Sequence, residues 1–444
     1  MKNMTEGNVS KLIITFAFPV LLGNIFQQFY TMADTMMVGK ILGVQALAAM
    51  GATSSLSNLM IGLITGIAMG VSILIAQYYG AKDEKGIKTS SAGCLLLCAC
   101  SSFVIVILSL LLKTPLLTML KTPQSIYQEA DRYLTILFIG LFVTMAYNMM
   151  ASMMRSIGDS KTPLYFLIIA SITNIVLDYC FLVYFHMGIA GAAYATVIAQ
   201  GLSVILCYFY MRKKYPMFIL KKNDFHIDKT MLVHQLSMGI SMGLMNSIVS
   251  IGSVVLQSAV NMLGEITIAA HTASRKIVEM LMQPMISIAI ANTTFVSQNL
   301  GAKKYARIRK GQKKCILLCF IWVMISIVIS FTWIDVLLSF MVDAKETMVM
   351  SLAQQYSRIS SLFYFVLSIL FIYRNGLQGL GNGTIPIMSS CIEMGVKVLA
   401  TFLLIPFTGY YGVCFVEPIA WSLMGPFLCY FFYHDLKKKE KQMV

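Results

Sequence analysis

The sequence predicts an all-α integral membrane protein with 12 transmembrane helices in two pseudo-symmetric six-helix bundles. Of its 444 residues, 58% are apolar and only 12% are charged, which is about half the charged share of a soluble domain. Apolar runs as long as the roughly 20 residues that a spanning helix needs follow one another with short polar breaks. The second half of the chain also repeats motifs of the first half. Lipid is therefore the solvent that this sequence fits.

Reading the apolar runs between polar breaks gives six spans in each half. The first run follows a short polar start and exceeds 20 residues, a length that favours a retained helix over a signal peptide. The spans are predicted at residues 12–38, 46–79, 91–112, 130–154, 163–185, 189–211, 232–261, 267–299, 315–338, 350–376, 385–406 and 411–434.

Positive charge alternates between the loops. About 25 Lys and Arg lie in the even loops and at both termini, and this positive-inside bias places both termini in the cytoplasm. The odd loops hold only Lys40, Lys113, Lys121 and Lys345. Because the cations lie in short loops rather than on one soluble face, the net charge of +15 does not indicate a nucleic-acid partner.

Several blocks of the first half recur in the second half in the same order. They are Leu42-Gly43 as Leu263-Gly264, residues 76–82 as residues 297–303, both at a spacing of 221, and Gly158 and Pro163 as Gly381 and Pro386 at a spacing of 223. An even number of spans per half means that both halves face the same way, which is a plan found in transporters whose bundles rock around a central site.

The repeat defines the expected domains. We predict an N-terminal six-helix bundle at 1–211, a cytoplasmic linker at 212–231, a C-terminal six-helix bundle at 232–434 and a basic cytoplasmic tail at 435–444. The linker is also an ordinary positive loop of a membrane protein.

The first half carries two carboxylates inside apolar spans. Asp34 ends the first span, and Gln27 and Tyr30 share its helix face at spacings of three and four. Ionisable groups in a span usually face a cavity or a partner because their burial is unfavourable. A second interpretation makes Asp34 an interfacial residue at the helix end.

The second carboxylate, Asp178, lies deep in the fifth span. Ser171 and Asn174 share its face, and Thr196 and Gln200 form a further polar pair in the sixth span. No basic residue is near Asp178 in its own helix, so it finds a cation across helices, binds a cation or is protonated. Burial near another carboxylate suits reversible binding of H⁺ or Na⁺. A hydrogen bond inside the bundle is the alternative.

The second half differs at the equivalent positions. At the repeat spacing, Val255 replaces Asp34, Lys397 replaces Asn174 and Thr401 replaces Asp178. Two pairs at i,i+4, Arg275 with Glu279 and Glu393 with Lys397, can neutralise one another. We interpret them as charges that line a cavity or stabilise the bundle, which confines the predicted titrating site to the N-terminal half.

Pro19 interrupts the first span and favours a kink there, because proline removes a backbone hydrogen bond. Such a kink is either a static bend or a hinge that responds to Asp34. The sequence is compatible with both.

These features together resemble the multidrug and toxic compound extrusion (MATE) transporters over roughly residues 10–435. The blocks that carry the resemblance are residues 19–39, 76–81, 297–302 and 155–163. The resemblance implies a V-shaped pair of lobes in a bacterial inner membrane that export amphipathic, often cationic compounds. It also implies cation coupling at Asp34, Asn174, Asp178 and Thr196, a hinge at Pro19 and a facing tyrosine at Tyr133.

One branch of that family uses a glutamate in the seventh span and an aspartate in the tenth. This chain has Asn246 and Gln257 in its seventh span and Gln354 and Gln355 in its tenth. It is therefore more similar to DinF-like or MepA-like members than to the NorM group. We include Asn246 and Gln257 with Gln27, Tyr30, Tyr133, Ser171 and Gln200 in the expected substrate cavity.

The sequence thus predicts a monomeric multidrug antiporter that exchanges organic compounds for H⁺ or Na⁺ and needs no cofactor. A lipid-linked oligosaccharide flippase of the same broad superfamily is the nearest alternative. An intramembrane enzyme is disfavoured because neither His-Glu-x-x-His nor Gly-x-Gly-Asp occurs in the sequence. A primary pump is excluded because no phosphate-binding loop of the Walker type occurs.

Overall fold

The computed structural model describes residues 3–119, 122–343 and 345–442. The loop cation Lys121 and the last two residues of the predicted tail lie outside these ranges. The α-helices are α1 Val9–Leu42, α2 Val44–Val71, α3 Ile73–Ala81, α4 Glu84–Met119, α5 Gln124–Ser156, α6 Lys161–Tyr179, α7 Ile189–Lys214, α8 Lys229–Asn261, α9 Glu265–Gly301, α10 Tyr305–Thr332, α11 Ile334–Ser339, α12 Thr347–Leu362, α13 Tyr364–Gly379, α14 Thr384–Thr408 and α15 Tyr410–Lys441.

The helices confirm the predicted all-α membrane fold. Within the described ranges, 11 helical segments are long and apolar enough to cross a membrane, with α2 and α3 joined as one segment, Val44–Ala81. A twelfth span results when α12 and α13, which meet at an angle of 54°, are counted together. This broken span covers the predicted run 350–376, so each predicted span has a helical counterpart.

The chain forms two compact units whose limits fall inside helices. The first unit is built on Pro19–Asn246, and the second combines Met4–Phe18 with Ser247–Val444. The limits lie within α1 and α8 rather than in loops. The domain boundaries expected at residues 211 and 232 stay a prediction.

In the first unit, α2 and the beginning of α8 approach each other through glycines. A Cβ atom at Gly70 would lie 2.4 Å from the Met238 carbonyl oxygen, and one at Gly66 would lie 2.6 Å from that of Met242. Gly239 and Gly243 provide the matching small positions on α8. Small residues four apart allow such close backbone contact between membrane helices, so this crossing has no room for a larger side chain.

A buried glutamine fixes the same crossing. Gln235 on α8 donates through Nε2 to the backbone carbonyls of Val71 and Ser90, each at 2.9 Å. Gln235 is buried, and a buried amide donor is stable only when it finds acceptors. These bonds join α8 to α2 and α4 within the first unit.

In the second unit, the start of the chain is bound by the repeated block near residue 298. The Met4 amide donates to Gln298 Oε1 at 2.9 Å, and the Met4 carbonyl accepts from Asn299 Nδ2 and from the Arg307 guanidinium, each at 3.2 Å. The Lys304 ammonium donates to the Thr5 carbonyl at 2.9 Å. Met4 and Thr5 are buried. The repeated block therefore helps to hold these two residues in the second unit.

Pro19 lies inside α1, and the helix continues from Val9 to Leu42. The limit between the two units also falls directly before Pro19. Its role as a hinge stays a prediction.

Candidate cation-coupling site

Three helices of the first unit bring the four predicted cation-coupling residues together. Asp34 comes from α1, Asn174 and Asp178 come from α6, and Thr196 comes from α7. Asp34 is 4% exposed, and Asp178 is completely buried. The two carboxyl groups are close enough for their charges to interact.

A short polar chain links α6 and α7 beside the carboxylates. Asn174 Nδ2 donates to Thr196 Oγ1 at 3.4 Å, and Thr196 Oγ1 donates to the Ala192 carbonyl at 3.1 Å. The amide oxygen of Asn174 therefore stays available to a ligand.

Four side-chain oxygens of this group are buried without a hydrogen-bond partner. They are Asp34 Oδ1, Asn174 Oδ1, Asp178 Oδ1 and Asp178 Oδ2. Among the residues that the structure describes, neither aspartate forms a salt bridge. A buried acceptor without a partner destabilises a protein by about 1 to 3 kcal/mol, more when it is charged. The cluster is therefore under-satisfied and suited to a proton or a small cation.

The helix that carries Asp178 changes its winding directly after this residue. α6 ends at Tyr179, and a π-helical segment follows over Cys180–Tyr184. Such widened turns are rare and occur frequently at functional sites. The sequence contains no signal for this segment, and we did not predict it.

Two residues of the predicted cavity lie beside the cluster. Tyr30 on α1 is half-buried and interacts with the Gln200 side chain and with Asp34. Tyr133 on α5 is 6% exposed and close enough to both aspartates for an electrostatic interaction. The i,i+4 spacing thus correctly placed Tyr30 on the face of α1 that bears Asp34.

Gln200 contacts a polar group on α5 that sequence reasoning missed. Thr144 Oγ1 on α5 donates to Gln200 Oε1 at 2.6 Å, and Asn148 Nδ2 donates to the Thr144 carbonyl at 2.9 Å. Thr144 and Asn148 are polar residues at i,i+4 in an apolar span. The same rule that selected α6 and α7 would have found them.

Other predicted cavity residues are placed elsewhere or are satisfied locally. Gln27 is exposed on α1, and Ser171 Oγ donates to the Leu167 carbonyl of its own helix at 2.9 Å. Asn246 Nδ2 donates to the Gly62 carbonyl at 3.1 Å, and Gln257 Nε2 donates to Asn261 Oδ1 at 2.9 Å. None of these contacts joins the carboxylate cluster, and their place in a substrate cavity stays a prediction.

The second unit contains a buried network of charges. Glu417 Oε1 lies 2.9 Å from Arg275 Nη1 and 3.6 Å from Lys397 Nζ, while Glu417 Oε2 accepts from the Tyr356 hydroxyl at 3.2 Å. Glu393 lies 2.7 Å from Arg374 and 3.1 Å from Lys397. The carboxylates at the centre of this unit are therefore fully paired.

Both charge pairs expected from the sequence form in this network. Arg275 contacts Glu279 at 3.3 Å, Lys397 contacts Glu393 at 3.1 Å, and the exposed Lys276 lies 3.9 Å from Glu279. Sequence reasoning missed Glu417 and Arg374, although a charge inside an apolar run was a sufficient signal for each.

A comparison with known families decides the membership of the chain. The family model MatE matches residues 19–180 and 241–403. The chain belongs to the MatE family. The two matched stretches of this MatE chain correspond to its two halves, and the family consists of transporters rather than enzymes.

Curated relatives cover much of the MatE chain. It is 30% identical to "Probable multidrug resistance protein YpnP" of Bacillus subtilis over 69% of this chain and 68% of that protein. It is 28% identical to "Probable multidrug resistance protein YoeA" of the same organism over 98% of this chain and 96% of that protein.

Solved structures share the fold along the whole MatE chain. A MOP superfamily transporter from Pyrococcus furiosus superposes with a TM-score of 0.91 at 20% identity, covering 99% of both chains. An outward-facing multidrug resistance MATE family transporter gives a TM-score of 0.91 at 21% identity, again covering 99% of both chains. At this identity the likeness shows the fold alone.

Proposed function

We propose that this chain is a secondary active antiporter that exports amphipathic, often cationic organic compounds in exchange for H⁺ or Na⁺. The observation that carries the proposal is the pair Asp34 and Asp178, buried together in the first unit with three carboxylate oxygens unpartnered. The names of its curated relatives, which are probable multidrug resistance proteins, support the class of substrate.

The chemistry of the cluster supports H⁺ or Na⁺ as the coupling ion. Carboxylate, amide and hydroxyl oxygens are available on Asp34, Asn174, Asp178 and Thr196, and hard cations prefer oxygen ligands. Two neighbouring buried carboxylates are difficult to ionise together, so binding one proton or one Na⁺ relieves their repulsion. No further cofactor is needed.

Alternating access would couple this site to export. A compound enters the central cavity from the cytoplasm, the transporter turns outward, and cation binding at Asp34 and Asp178 releases the compound and resets the cycle, with Pro19 as the hinge. One charge crossing 100 mV supplies about 2.3 kcal/mol, and one pH unit supplies about 1.4 kcal/mol. Both terms drive the exchange of one proton for a neutral compound, whereas exchange for a monovalent cation uses only the pH term.

The proposed setting follows from charge and family. The transporter acts as a monomer in a bacterial inner membrane, with both termini in the cytoplasm as the loop cations indicate. The DinF-like or MepA-like assignment belongs to this proposal, since the tenth span holds Gln354 and Gln355 and not an aspartate.

Efflux from proteoliposomes tests the proposal. Vesicles loaded with a fluorescent organic cation receive a pH gradient or a Na⁺ gradient separately. One gradient should drive efflux in the wild type, and Asp34→Asn and Asp178→Asn should abolish it. Glu129→Gln removes an exposed carboxylate of the same unit and should leave efflux unchanged.

Normal coupled efflux in folded Asp178→Asn would contradict the assigned site. Absence of gradient-driven efflux for every tested cation, with folded wild-type protein, would contradict the antiporter and favour a flippase for lipid-linked compounds. The paired state of Lys397, Arg275 and Arg374 disfavours that alternative, because a phosphate headgroup needs available cations.

A further inference from the structure

The internal repeat can be followed into the last helix of each half. Gly188 and Gly409 are 221 residues apart, each precedes a long helix, and each has a positive φ, 61° and 58°. This left-handed conformation favours glycine, so the two positions are structurally equivalent. At the same spacing, Thr196 on α7 corresponds to Glu417 on α15.

The preceding helices match in the same way. Pro163 and Pro386 are each the third residue of their helix, α6 and α14, at a spacing of 223. This spacing pairs Asn174 with Lys397 and Asp178 with Thr401. Three of the four residues of the first-unit cluster thus have polar counterparts in the second unit.

The counterparts contact each other in the same combination. In the first unit, Asn174 Nδ2 lies 3.4 Å from Thr196 Oγ1. In the second unit, Lys397 Nζ lies 3.6 Å from Glu417 Oε1. A neutral hydrogen bond at one pair of positions is therefore replaced by an ion pair at the other pair.

We propose that the Lys397 ammonium is the resident cation of the second unit, held where the first unit binds its exchangeable ion. The identity of the first-unit site rests on the function proposed above. Lys397 is 3% exposed, and its ammonium faces carboxylate oxygens of Glu393 and Glu417. A tethered cation cannot leave, so the second unit stays permanently loaded and the chain couples transport through one ion site.

Lys397 bridges the two buried carboxylates of the network, Glu393 and Glu417. The network connects four basic residues with Glu279, Glu393 and Glu417, and the basic residues are Arg275, Lys276, Arg374 and Lys397. Without the ammonium, Glu393 Oε1 loses its partner, while Glu393 Oε2 keeps Arg374. Glu393 and Glu417 then have one basic partner each instead of two, Arg374 and Arg275.

On the same helix as Lys397, a buried hydroxyl oxygen has no hydrogen-bond partner. Thr401 lies one helical turn after Lys397, is 4% exposed, and its Oγ1 makes no hydrogen bond. Thr401 is the counterpart of Asp178. The second unit therefore retains an unused buried oxygen where the first unit has a carboxylate, as expected for a cation site filled by a side chain.

The test removes the Lys397 side chain and measures whether Na⁺ or Li⁺ from solution binds in its place. Asp178→Asn serves as the background, because it disables the first-unit site. In this background, Lys397→Asn installs the residue of the first unit, and the midpoint of thermal unfolding is compared in NaCl, LiCl and choline chloride of equal ionic strength. We expect Na⁺ or Li⁺ to raise the midpoint by several degrees, saturably, in the double variant and not in Asp178→Asn alone.

Two further variants control for the site and for folding. Adding Glu393→Gln to the double variant removes the carboxylate that faced the ammonium and should abolish the ion response. Lys397→Arg in the Asp178→Asn background keeps the charge and should fold without an ion response. If the folded double variant can be purified only when Na⁺ or Li⁺ is present, this result also counts as the expected response.

An ion-insensitive but folded double variant would overturn the proposal and leave Lys397 as an ordinary salt-bridge residue. An ion response in the Lys397→Arg variant, or a double variant that fails to fold in every salt, would also overturn it. The readout is independent of transport, so the proposal can fail while coupled efflux stands, and coupled efflux can fail while the ion response stands.

Discussion

The two units of this transporter bury carboxylates in opposite ways. In the first unit, Asp34 and Asp178 lie together with three oxygens unpartnered. In the second unit, Glu393 and Glu417 each contact two basic side chains. Burial is similar in both units, with exposures of 5% or less for all four residues. What separates the two sites is therefore the supply of partners, and only the under-satisfied site is suited to take up and release an ion.

The difference also separates two energetic roles. Removing one member of a buried ion pair leaves an uncompensated charge and destabilises a protein strongly. Removing a carboxylate that lacks partners relieves an existing desolvation cost. Substitution of an acidic residue should consequently change stability in opposite directions in the two units.

The largest effect is expected for Glu417→Gln. This change leaves Arg275 without its 2.9 Å partner and Lys397 with one carboxylate instead of two, so unfolding should become easier by about 3 to 5 kcal/mol. Thermal unfolding in detergent measures the change. Glu279→Gln, at the half-exposed edge of the network, is the matched control and should cost less than about 1 kcal/mol. Equal effects of both variants would show that the burial of Glu417 does not determine how much its ion pairs stabilise the second unit.

A packing variant tests whether, in the first unit, substitution without loss of stability is possible only in the polar cluster. Gly70→Ala places a Cβ atom 2.4 Å from the Met238 carbonyl oxygen, so α2 and α8 must separate and stability should fall by about 1 to 3 kcal/mol. Gly51→Ala in the same helix meets no atom within 4 Å and should be neutral or stabilising by up to about 1 kcal/mol. The same unfolding assay compares them, and a harmless Gly70→Ala would show that the crossing is looser than described.

Asp178→Asn should stabilise the folded protein at neutral pH, by about 1 kcal/mol, because burial without a partner disfavours the ionised form that Asp178 has in the unfolded chain, whereas an amide carries no charge. The same variant should lose coupled efflux, so stability and activity change in opposite directions. The unfolding midpoint is measured in choline chloride, which keeps a small cation from occupying the site. A strongly destabilised variant would indicate a structural role for Asp178.

The smallest effect is expected for Arg309→Ala. Arg309 pairs with Glu440 where both side chains are more than a third exposed, and such pairs contribute between about 0 and 1 kcal/mol. A change in the unfolding midpoint near the error of the assay is expected, with Lys310→Ala as the neighbouring control. A loss as large as that of Glu417→Gln would mean that burial is not what makes ion pairs important in the second unit.

Much of the fold was predictable because membrane helices are specified by apolar length alone. The apolar runs predicted the number of spans, and the repeat predicted the correspondence of Asn174 with Lys397. The unit limits inside α1 and α8 were not predictable, because the glycine crossing of α2 with α8 depends on contacts between distant parts of the chain. The π-helical segment after Asp178 likewise has no local sequence signal.

The four residues of the candidate site could be proposed from the sequence, but the partners of the buried charges in the second unit could not. Spacings of three and four place Asp178 with Asn174 on one face of α6, since a helix brings such residues together. Whether a buried charge finds a partner on another helix cannot be read from its own helix. Glu417 shows this, because its partners Arg275 and Lys397 come from α9 and α14.

The binding of Met4 to Gln298 has a consequence for how the chain is made. The partner of the Met4 amide lies 294 residues later, and Arg307, which binds the Met4 carbonyl, follows still later. During synthesis Met4 therefore cannot form these hydrogen bonds until α9 and the start of α10 have emerged from the ribosome. Met4 is therefore translated well before the residues that bind it, and it reaches its final place late.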